Sequence, residues 1–581
     1  MESSTASSLS GAHLDSELEG DARLELKRKT SQAIDEGHDA DIPSSEGYIL
    51  SEEGELKRLQ SIADKRRKSE SAARRSNTNV DRDVEKGGLE GANVGDRNHA
   101  SDDDEPDENV VWWDGPDDPE NPYNWPLWRK LMNCGFISAM TFISPLASSI
   151  FAPGVPQVVA EFHSTSLEIA TFVVSVYVLG FAAGPVVIAP LSEIYGRVII
   201  YHLCNVGFIA FAAACALAPS LNSLIAFRFL AGVFGSAPLT NGAGTIADMV
   251  SQERRGLAMA MYSVGPLLGP IIGPVVGGFL ADAQGWRWTF WLLAIAAGFV
   301  AIVMLFTLKE SYAPVVLQRK TERLRKATGN PLLRSKLDIG LSPKDYFKRG
   351  IIRPVKMFMR SPIIVIMALY TAVTYGYLYL MFTTMTEVFT ESYGFTTSTV
   401  GLAFLGLGVG SLCGIGIFSA TSDRYIQRKA AEADRTAEAT GAAKSGMKPE
   451  YRLPLLPLGA AAIPAGLFIY GWTAEYRVHW IAPIIGTAVV GAGNLVIFMA
   501  IQTYLVDAYT VYAASALATN TIVRSIAGAV LPLAGLKMYA RLGLGWGNSL
   551  LGFIAVALVP VSLGLIKYGE RLRTRFPVRN I

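Results

Sequence analysis

Two arginines stand inside long apolar runs: Arg228, within Leu224-Ile225-Ala226-Phe227-Arg228-Phe229-Leu230, and Arg524, within Ile522-Val523-Arg524-Ser525-Ile526. A guanidinium at such a position must face protein or water, so each is a functional candidate. Snorkelling to a nearby interface is the plainer alternative for Arg228, and a partnership with carbonyls or a helix end is the alternative for Arg524. A second group sits at a tight corner, Leu191-Ser192-Glu193-Ile194-Tyr195-Gly196-Arg197, with a counterpart at Thr421-Ser422-Asp423-Arg424-Tyr425. Glu193, Gly196 and Arg197, and likewise Asp423 and Arg424, put an acid and a base at a turn between two helices. Such a pair can close in one conformation and part in another, which makes a bistable latch. The bases open to Glu193 are Arg197 and Arg255, and a loop that only sets topology is the alternative reading. A third pattern is geometric: Gly265, Gly269, Gly273 and Gly277 recur every four residues, interleaved with Pro266, Pro270 and Pro274 and followed by Gly278. The glycines form one smooth strip that lets another helix approach closely, while each proline removes a helix bond and lets the segment bend.

Weaker signals come from polar and aromatic groups deep in apolar stretches: Tyr177, Asn241, Tyr262, Tyr375, Tyr379, Asn494, Gln502 and Asn520. Each alone is an ordinary packing residue. Together they describe an aromatic, weakly polar pocket suited to lipophilic molecules. Other chemistries lack their residues. There is no phosphate-binding G-x-x-x-x-G-K-[ST], no H-E-x-x-H, no N-x-[ST], and the six histidines do not cluster. Neither an enzyme, a metal site nor a cofactor is expected, and the four cysteines lie in apolar runs and suggest no disulfide framework.

The elements that must position these residues are membrane spans, since about 20 apolar residues cross the hydrocarbon as a helix. Twelve such stretches follow Leu131: 131–151, 169–189, 198–218, 224–246, 258–281, 287–308, 363–386, 399–420, 454–473, 480–503, 514–536 and 546–567. Two sets of six, with an acid at the matching corner of each, read as a duplicated six-helix unit. Two such bundles facing one another make an alternating-access carrier with a cavity at the midplane.

Charge divides the chain more sharply than its near-neutral total suggests. Residues 1–126 hold 31 acids and 15 bases, a net of −16, whereas the remainder holds 20 acids and 37 bases. Segment 309–360 alone carries 14 bases against 4 acids, while the loops at 152–168, 219–223 and 387–398 have no Lys or Arg. By the positive-inside rule both termini and the central loop lie in the cytoplasm. The expected organisation is a disordered acidic cytoplasmic tail over 1–110 and an interfacial pre-helix segment over 111–130, where Trp and Tyr suit the headgroup layer. A first bundle follows over 131–308, then a basic cytoplasmic central loop over 309–362. The second bundle spans 363–567, with a cytoplasmic insertion at 421–453, and a basic cytoplasmic C-terminus closes the chain over 568–581.

From Asn121 to Lys567 the sequence resembles the major facilitator superfamily, and within it the fungal twelve-span drug:proton antiporters that include multidrug and polyamine exporters. The corner at 189–197 keeps the family's Leu191, Gly196 and Arg197, but has Ala189 for its Gly, Glu193 for its Asp and Ile194 for its following Arg. Further matching motifs are Arg228-Phe229-Leu230-Ala231-Gly232, Lys309-Glu310-Ser311-Tyr312-Ala313-Pro314, Pro449-Glu450-Tyr451-Arg452-Leu453-Pro454 and Tyr504-Leu505-Val506-Asp507-Ala508-Tyr509. The resemblance implies that the Gly/Pro strip is the antiporter motif and that Arg228 tunes a proton-carrying group or meets substrate. It implies a proton-coupled exporter of small lipophilic compounds, working as a monomer in the plasma membrane or, alternatively, the vacuolar membrane. Its partners would be substrate, protons and lipid, with no nucleic acid. A polyamine or nutrient transporter, and a non-transporting receptor with the carrier fold, are the alternatives. No Asp or Glu stands at the centre of any span, so a polycation would be poorly stabilised beside two arginines. The same absence leaves the proton carrier open, with Glu168, Glu193, Glu387 and Asp507 near span ends.

Overall fold

A computed structural model describes residues 109–577, except 164–166, 252–254, 339, 341, 441–447 and 510–511. Residues 1–108, where a disordered acidic tail is expected, and residues 578–581 lie outside the described residues.

The first half consists of α1 (Leu127–Ser149), a short α2 (Val155–Glu161), α3 (Leu167–Tyr195), α4 (Arg197–Ala216), α5 (Leu221–Gly235), α6 (Ala237–Met249), α7 (Arg255–Gln284) and α8 (Arg287–Thr307). A linker contributes α9 (Ala313–Thr328) and α10 (Pro343–Arg360). The second half consists of α11 (Pro362–Tyr393), α12 (Thr397–Thr440), α13 (Leu456–Glu475), α14 (Ile481–Ala508), α15 (Ala513–Val530) and α16 (Pro532–Arg575). Among the described residues, eleven helical segments are long and apolar enough to cross a bilayer. The eleventh covers Ala513–Arg575, 63 residues, roughly three bilayer thicknesses at helical rise. It is broken at Gly543, whose φ of 75° and ψ of 173° no other residue type adopts cheaply. The restart is capped by Glu475, whose carboxylate accepts the N–H groups of Leu544 at 2.6 Å and Gly545 at 3.1 Å.

Successive passes reverse direction, so both bundles turn corners on two faces. The face that carries α9, α10 and the end of α16 is called here the linker face. The outward surface is apolar: Phe299, Ile302 and Phe306 of α8 and Leu203 and Val206 of α4 are all exposed. A belt of that kind suits lipid.

The Gly/Pro strip does what close packing requires. A Cβ at Gly265 would meet the Phe142 amide nitrogen at 2.9 Å, and one at Gly269 the Leu146 nitrogen at 2.8 Å; Gly273 faces Ile150, and Gly277 lies against the Ile150 carbonyl. All four therefore seat α7 on α1. Gly278 faces the other half of the chain instead, against Thr397 and Gly401 of α12. Pro274 has no N–H to give the Pro270 carbonyl four residues back. That freed oxygen is met by the Ser149 hydroxyl of α1 at 3.2 Å.

Two segments expected to be loops are helical. The central linker forms α9 and the strongly amphipathic α10, and α12 continues through 421–440, into the expected insertion. Polarity marked them as non-membrane, but their charged and apolar residues still alternate at helical spacing. The pre-helix segment is more than an interfacial strip. Its strand β1 (Val110–Val111) pairs in parallel with β2 (Arg334–Ser335) of the linker. Lys320 of α9 reaches Asp114 at 2.8 Å and Asp118 at 3.0 Å, and Arg323 meets Glu120 at 2.8 Å. Trp125 is buried, while Trp128 remains exposed as a headgroup anchor would be.

Candidate functional site

On the linker face, α3 ends at Tyr195 and α4 begins at Arg197. Gly196 between them has φ 100°, and any Cβ there would collide with the Glu310 carboxylate. Glu310 lies on the α4 N-terminus: its Oε1 accepts the Arg197 N–H at 3.0 Å and its Oε2 that of Val198 at 3.2 Å. An anion on the free N–H groups of a helix start is favourable electrostatically and satisfies donors that the helix cannot. Arg197 is nearly buried. Its Nη1 donates to Ser192 Oγ at 2.7 Å, its Nε faces Asp248 at 3.4 Å, and its guanidinium lies 4.7 Å from the Tyr312 ring centroid.

Arg197, one of the two bases expected for Glu193, is shared with a second acid. Arg197 is salt-bridged to Asp248 because its side chain runs beneath α6, whereas Glu193 is on the outer side of the α3 end. Glu193 is exposed, with Arg197, Arg353 and Arg349 as its charged neighbours. The last two belong to α10, and the side chain of Arg255 lies outside the described residues. Helix α10 touches both halves: Gly350 packs against Pro190 of α3, Pro354 offers its carbonyl to Thr519 Oγ1 at 3.0 Å, and Arg353 lies 5.7 Å from the Tyr512 ring.

The second half has its own ion network on the same face. Glu450 accepts from Arg573 Nε at 2.9 Å and from the Tyr504 hydroxyl at 3.4 Å, and Arg452 meets Asp507 at 2.9 Å. Two sequence motifs about fifty residues apart thus meet side by side. The side chain of Asp423 lies outside the described residues. Arg424 is exposed and lines a solvent-open groove of about 440 Å³ with Tyr425, Arg428, Tyr451 and Arg452, far from the interior.

Beside the linker, burial would raise the Asp118 pKa, but the N–H groups of Asp114 and Glu120 and the Lys320 ammonium outweigh it and hold the carboxyl below its ordinary value. Burial would lower Lys320, but its bonds to Asp114 and Asp118 raise it.

Inside the bundles the two arginines differ. Arg228 is only 1% exposed and does not snorkel. Its Nε donates to Val173 O at 3.0 Å, its Nη1 to Ala147 O at 2.7 Å, and its Nη2 to Ser148 O at 3.3 Å and Val174 O at 3.4 Å. Tyr177, Phe151 and Phe290 surround it with their rings. Arg228 thereby ties α5 to α1 and α3. Arg524 has two ring neighbours, Tyr375 at 4.7 Å and Phe498 at 5.0 Å, and its Nε is buried without a protein partner.

The expected pocket residues separate in the same way. Tyr177 donates to Ser144 O at 3.0 Å, Tyr262 bonds the carbonyls of Pro238 and Leu239 at 3.1 Å each, and Asn241 Oδ1 accepts from Ser192 at 3.1 Å. The two hydroxyls and the Asn241 Oδ1 are thus satisfied within the first bundle, while the Asn241 amide nitrogen is buried without a protein partner. Tyr375 and Tyr379 pack together at 5.0 Å in the second, where Asn494 is buried, Gln502 Oε1 has no partner, and Asn520 is fully buried with both amide atoms unpaired. Sequence reading had no role for Phe498, Ser148, Asp248 or the capping function of Glu310. Only Glu310 carried a signal, as an acid immediately after the sixth span.

Two helical bundles with an apolar outer belt, one buried and one half-buried arginine in their interior and ion networks on one face define a multi-pass membrane transporter. The sequence profile of the Major Facilitator Superfamily matches residues 137–532, and the chain belongs to that family. It is similar to the MFS-type transporter tndD of Aspergillus flavipes, 58% identical over 80% of this chain and 86% of that one. It is also similar to the MFS-type transporter penM of Penicillium rubens, 56% identical over 81% and 90%. The efflux pump radE of Floropilus chiversii is 51% identical over 82% and 87%. Among solved structures, a partially occluded inward-open conformation of the xylose transporter XylE from E. coli superposes with a TM-score of 0.55 at 15% identity, over 76% of this chain and 98% of that one, which shows the fold.

Proposed function

We propose that the chain exports small lipophilic compounds by alternating access, in exchange for protons, across the plasma membrane. Export is suggested by the name of the radE relative, and proton exchange by the α7 strip. The linker face, with its basic α9 and α10, is taken as cytoplasmic. Ala513–Arg575 is taken as two crossings divided at Gly543, for twelve in all.

One observation carries the mechanism: the two bundles are joined at two separate levels. Away from the linker face they bond directly, Tyr379 to Ser148 Oγ at 3.0 Å, Ser175 to Ala529 O at 3.0 Å and Thr386 to Ala152 O at 3.2 Å. At the linker face α10 bridges α3 and α15. Two contact sets that can break alternately around a buried interior are what alternating access requires. The tightly packed α1–α7 seam keeps the first bundle rigid and dry while the two rock. Glu193, opposite the arginines of α10, and Asp423 with Arg424 act on the cytoplasmic gate.

The test is efflux from cells expressing the chain, loaded with a fluorescent lipophilic dye, with and without a protonophore. Expression should lower retained dye, and collapse of the proton gradient should restore it. Retention unaffected by expression would sink export, and efflux indifferent to the protonophore would sink proton coupling.

A further inference from the structure

Backbone carbonyls take four of the five N–H donors of Arg228 and use all three of its nitrogens, whereas the comparable group of the second bundle is open. Arg524 and Asn520 lie one turn apart on α15, and Phe498 and Gln502 lie one turn apart on the antiparallel α14. The Phe498–Arg524 contact therefore sets Gln502 level with Asn520. Four polar atoms of this ladder are buried without a protein partner: Arg524 Nε, both amide atoms of Asn520, and Gln502 Oε1. Asn520 is fully buried, so its amide cannot turn to solvent. A buried amide left unpaired is costly, and natural proteins rarely keep one without a use.

The unmet groups define a ligand by complement. Arg524 and the Asn520 amide nitrogen offer donors, while Asn520 Oδ1 and Gln502 Oε1 offer acceptors. The rings of Tyr375 and Phe498 flank the guanidinium and suit a flat conjugated body. The fixed charge of Arg524 favours an anionic or electron-rich oxygen over an ammonium.

We propose that Arg524, Asn520, Gln502, Tyr375 and Phe498 form the substrate-recognition site. It takes planar, conjugated molecules that carry an acidic or carbonyl oxygen next to a hydroxyl or N–H. This rests on the carrier reading above and narrows its substrate class. The first bundle then serves as the scaffold against which the recognising half moves.

Three probes share one ring system: 3-hydroxy-2-naphthoate, 2-naphthoate without the hydroxyl, and the cation 2-naphthylmethylammonium. Their binding to the full chain in lipid nanodiscs, by calorimetry, is expected to rank in that order, with the cation weakest. Arg524→Gln should weaken both anions by about tenfold or more and leave the cation unweakened, and Asn520→Leu should erase the advantage of the hydroxyl, about fivefold. The proposal is overturned if the cation binds as tightly as the anions, or if neither anion binds at millimolar concentration. Anion affinity indifferent to Arg524→Gln in monodisperse protein overturns it too. Should that variant not fold, the wild-type ranking and Asn520→Leu decide the matter alone. Counterflow of the labelled hydroxynaphthoate in proteoliposomes separates the two readings. Binding in the expected pattern without counterflow removes the carrier reading and keeps the site; counterflow with a reversed ranking does the opposite.

Discussion

The Tyr379 hydroxyl of the second bundle donates to Ser148 Oγ of the first at 3.0 Å, across 231 residues of sequence. The carbonyl of the same Ser148 accepts from Arg228 Nη2, and Tyr379 packs on Tyr375, which covers Arg524. One contiguous line of residues thus connects the interior arginines of the two halves through a single bond between bundles.

Tyr379→Phe removes that bond and little volume. A net hydrogen bond contributes about 1 kcal/mol, so the balance between the joined and separated arrangements should move about fivefold toward separation on that side. Spin-label distances between α1 and α11 report it. An unchanged distance distribution would mean that this bond does not help hold the bundles together.

Substitutions in the α7 strip should grade with the space at each position. At Gly277 a side chain meets the Ile150 backbone, so Gly277→Val is expected to lower abundance severely, by several kcal/mol of packing strain. A methyl group at Gly298 would have no neighbour within 4 Å, and Gly298→Ala should be neutral or stabilise α8 by up to about 1 kcal/mol. Melting temperature in detergent checks both, and equal effects at the two sites would contradict the seam.

Arg228→Met should destabilise by about 3 kcal/mol or more, because it removes four carbonyl bonds that cross three helices. Arg228→Lys retains the charge but not the fork, and should recover only part of the loss. The fall in melting temperature should accompany any fall in efflux. A normal melting temperature with abolished efflux would instead assign Arg228 directly to transport.

The contact between pre-helix segment and α9 should be insensitive to pH through the neutral range. Asp118 has a lowered pKa when folded, so its contribution is complete above the unfolded value of about 3.9 and is lost as pH falls through the folded one. Lys320 has a raised pKa, so its contribution is complete below about 10.4 and is lost as pH rises through the folded value. Hydrogen exchange of 110–126 should therefore be equally protected at pH 5 and pH 8 once corrected for intrinsic rates. Lys320→Ala leaves Asp118 buried without its cation and should release the segment, at a cost of about 3 kcal/mol. Protection that survives this variant would refute the role of the pair.

How much of this was legible in sequence differed by element. The apolar helical segments were, though eleven stand among the described residues where twelve spans are expected, because hydrocarbon imposes a length of apolar residues that no neighbour can waive. The strip of Gly265, Gly269, Gly273 and Gly277 was also legible, since its four-residue spacing fixes one helix face whatever packs against it. That both Arg228 and Arg524 need partners followed from the cost of burying a charge. Which one is satisfied did not: it depends on α1 and α3 bringing four carbonyls to Arg228, and on α11 and α14 bringing only rings to Arg524. Glu310 capping Arg197 and Asp248 engaging it alongside Glu193 are contacts between helix ends remote in sequence. The α10 bridge was hidden for another reason, since a run of bases reads as a polar loop until two bundles present an apolar corner for it to cover. Spacing along one chain determines faces and lengths; only the folded packing of separate helices decides which faces meet.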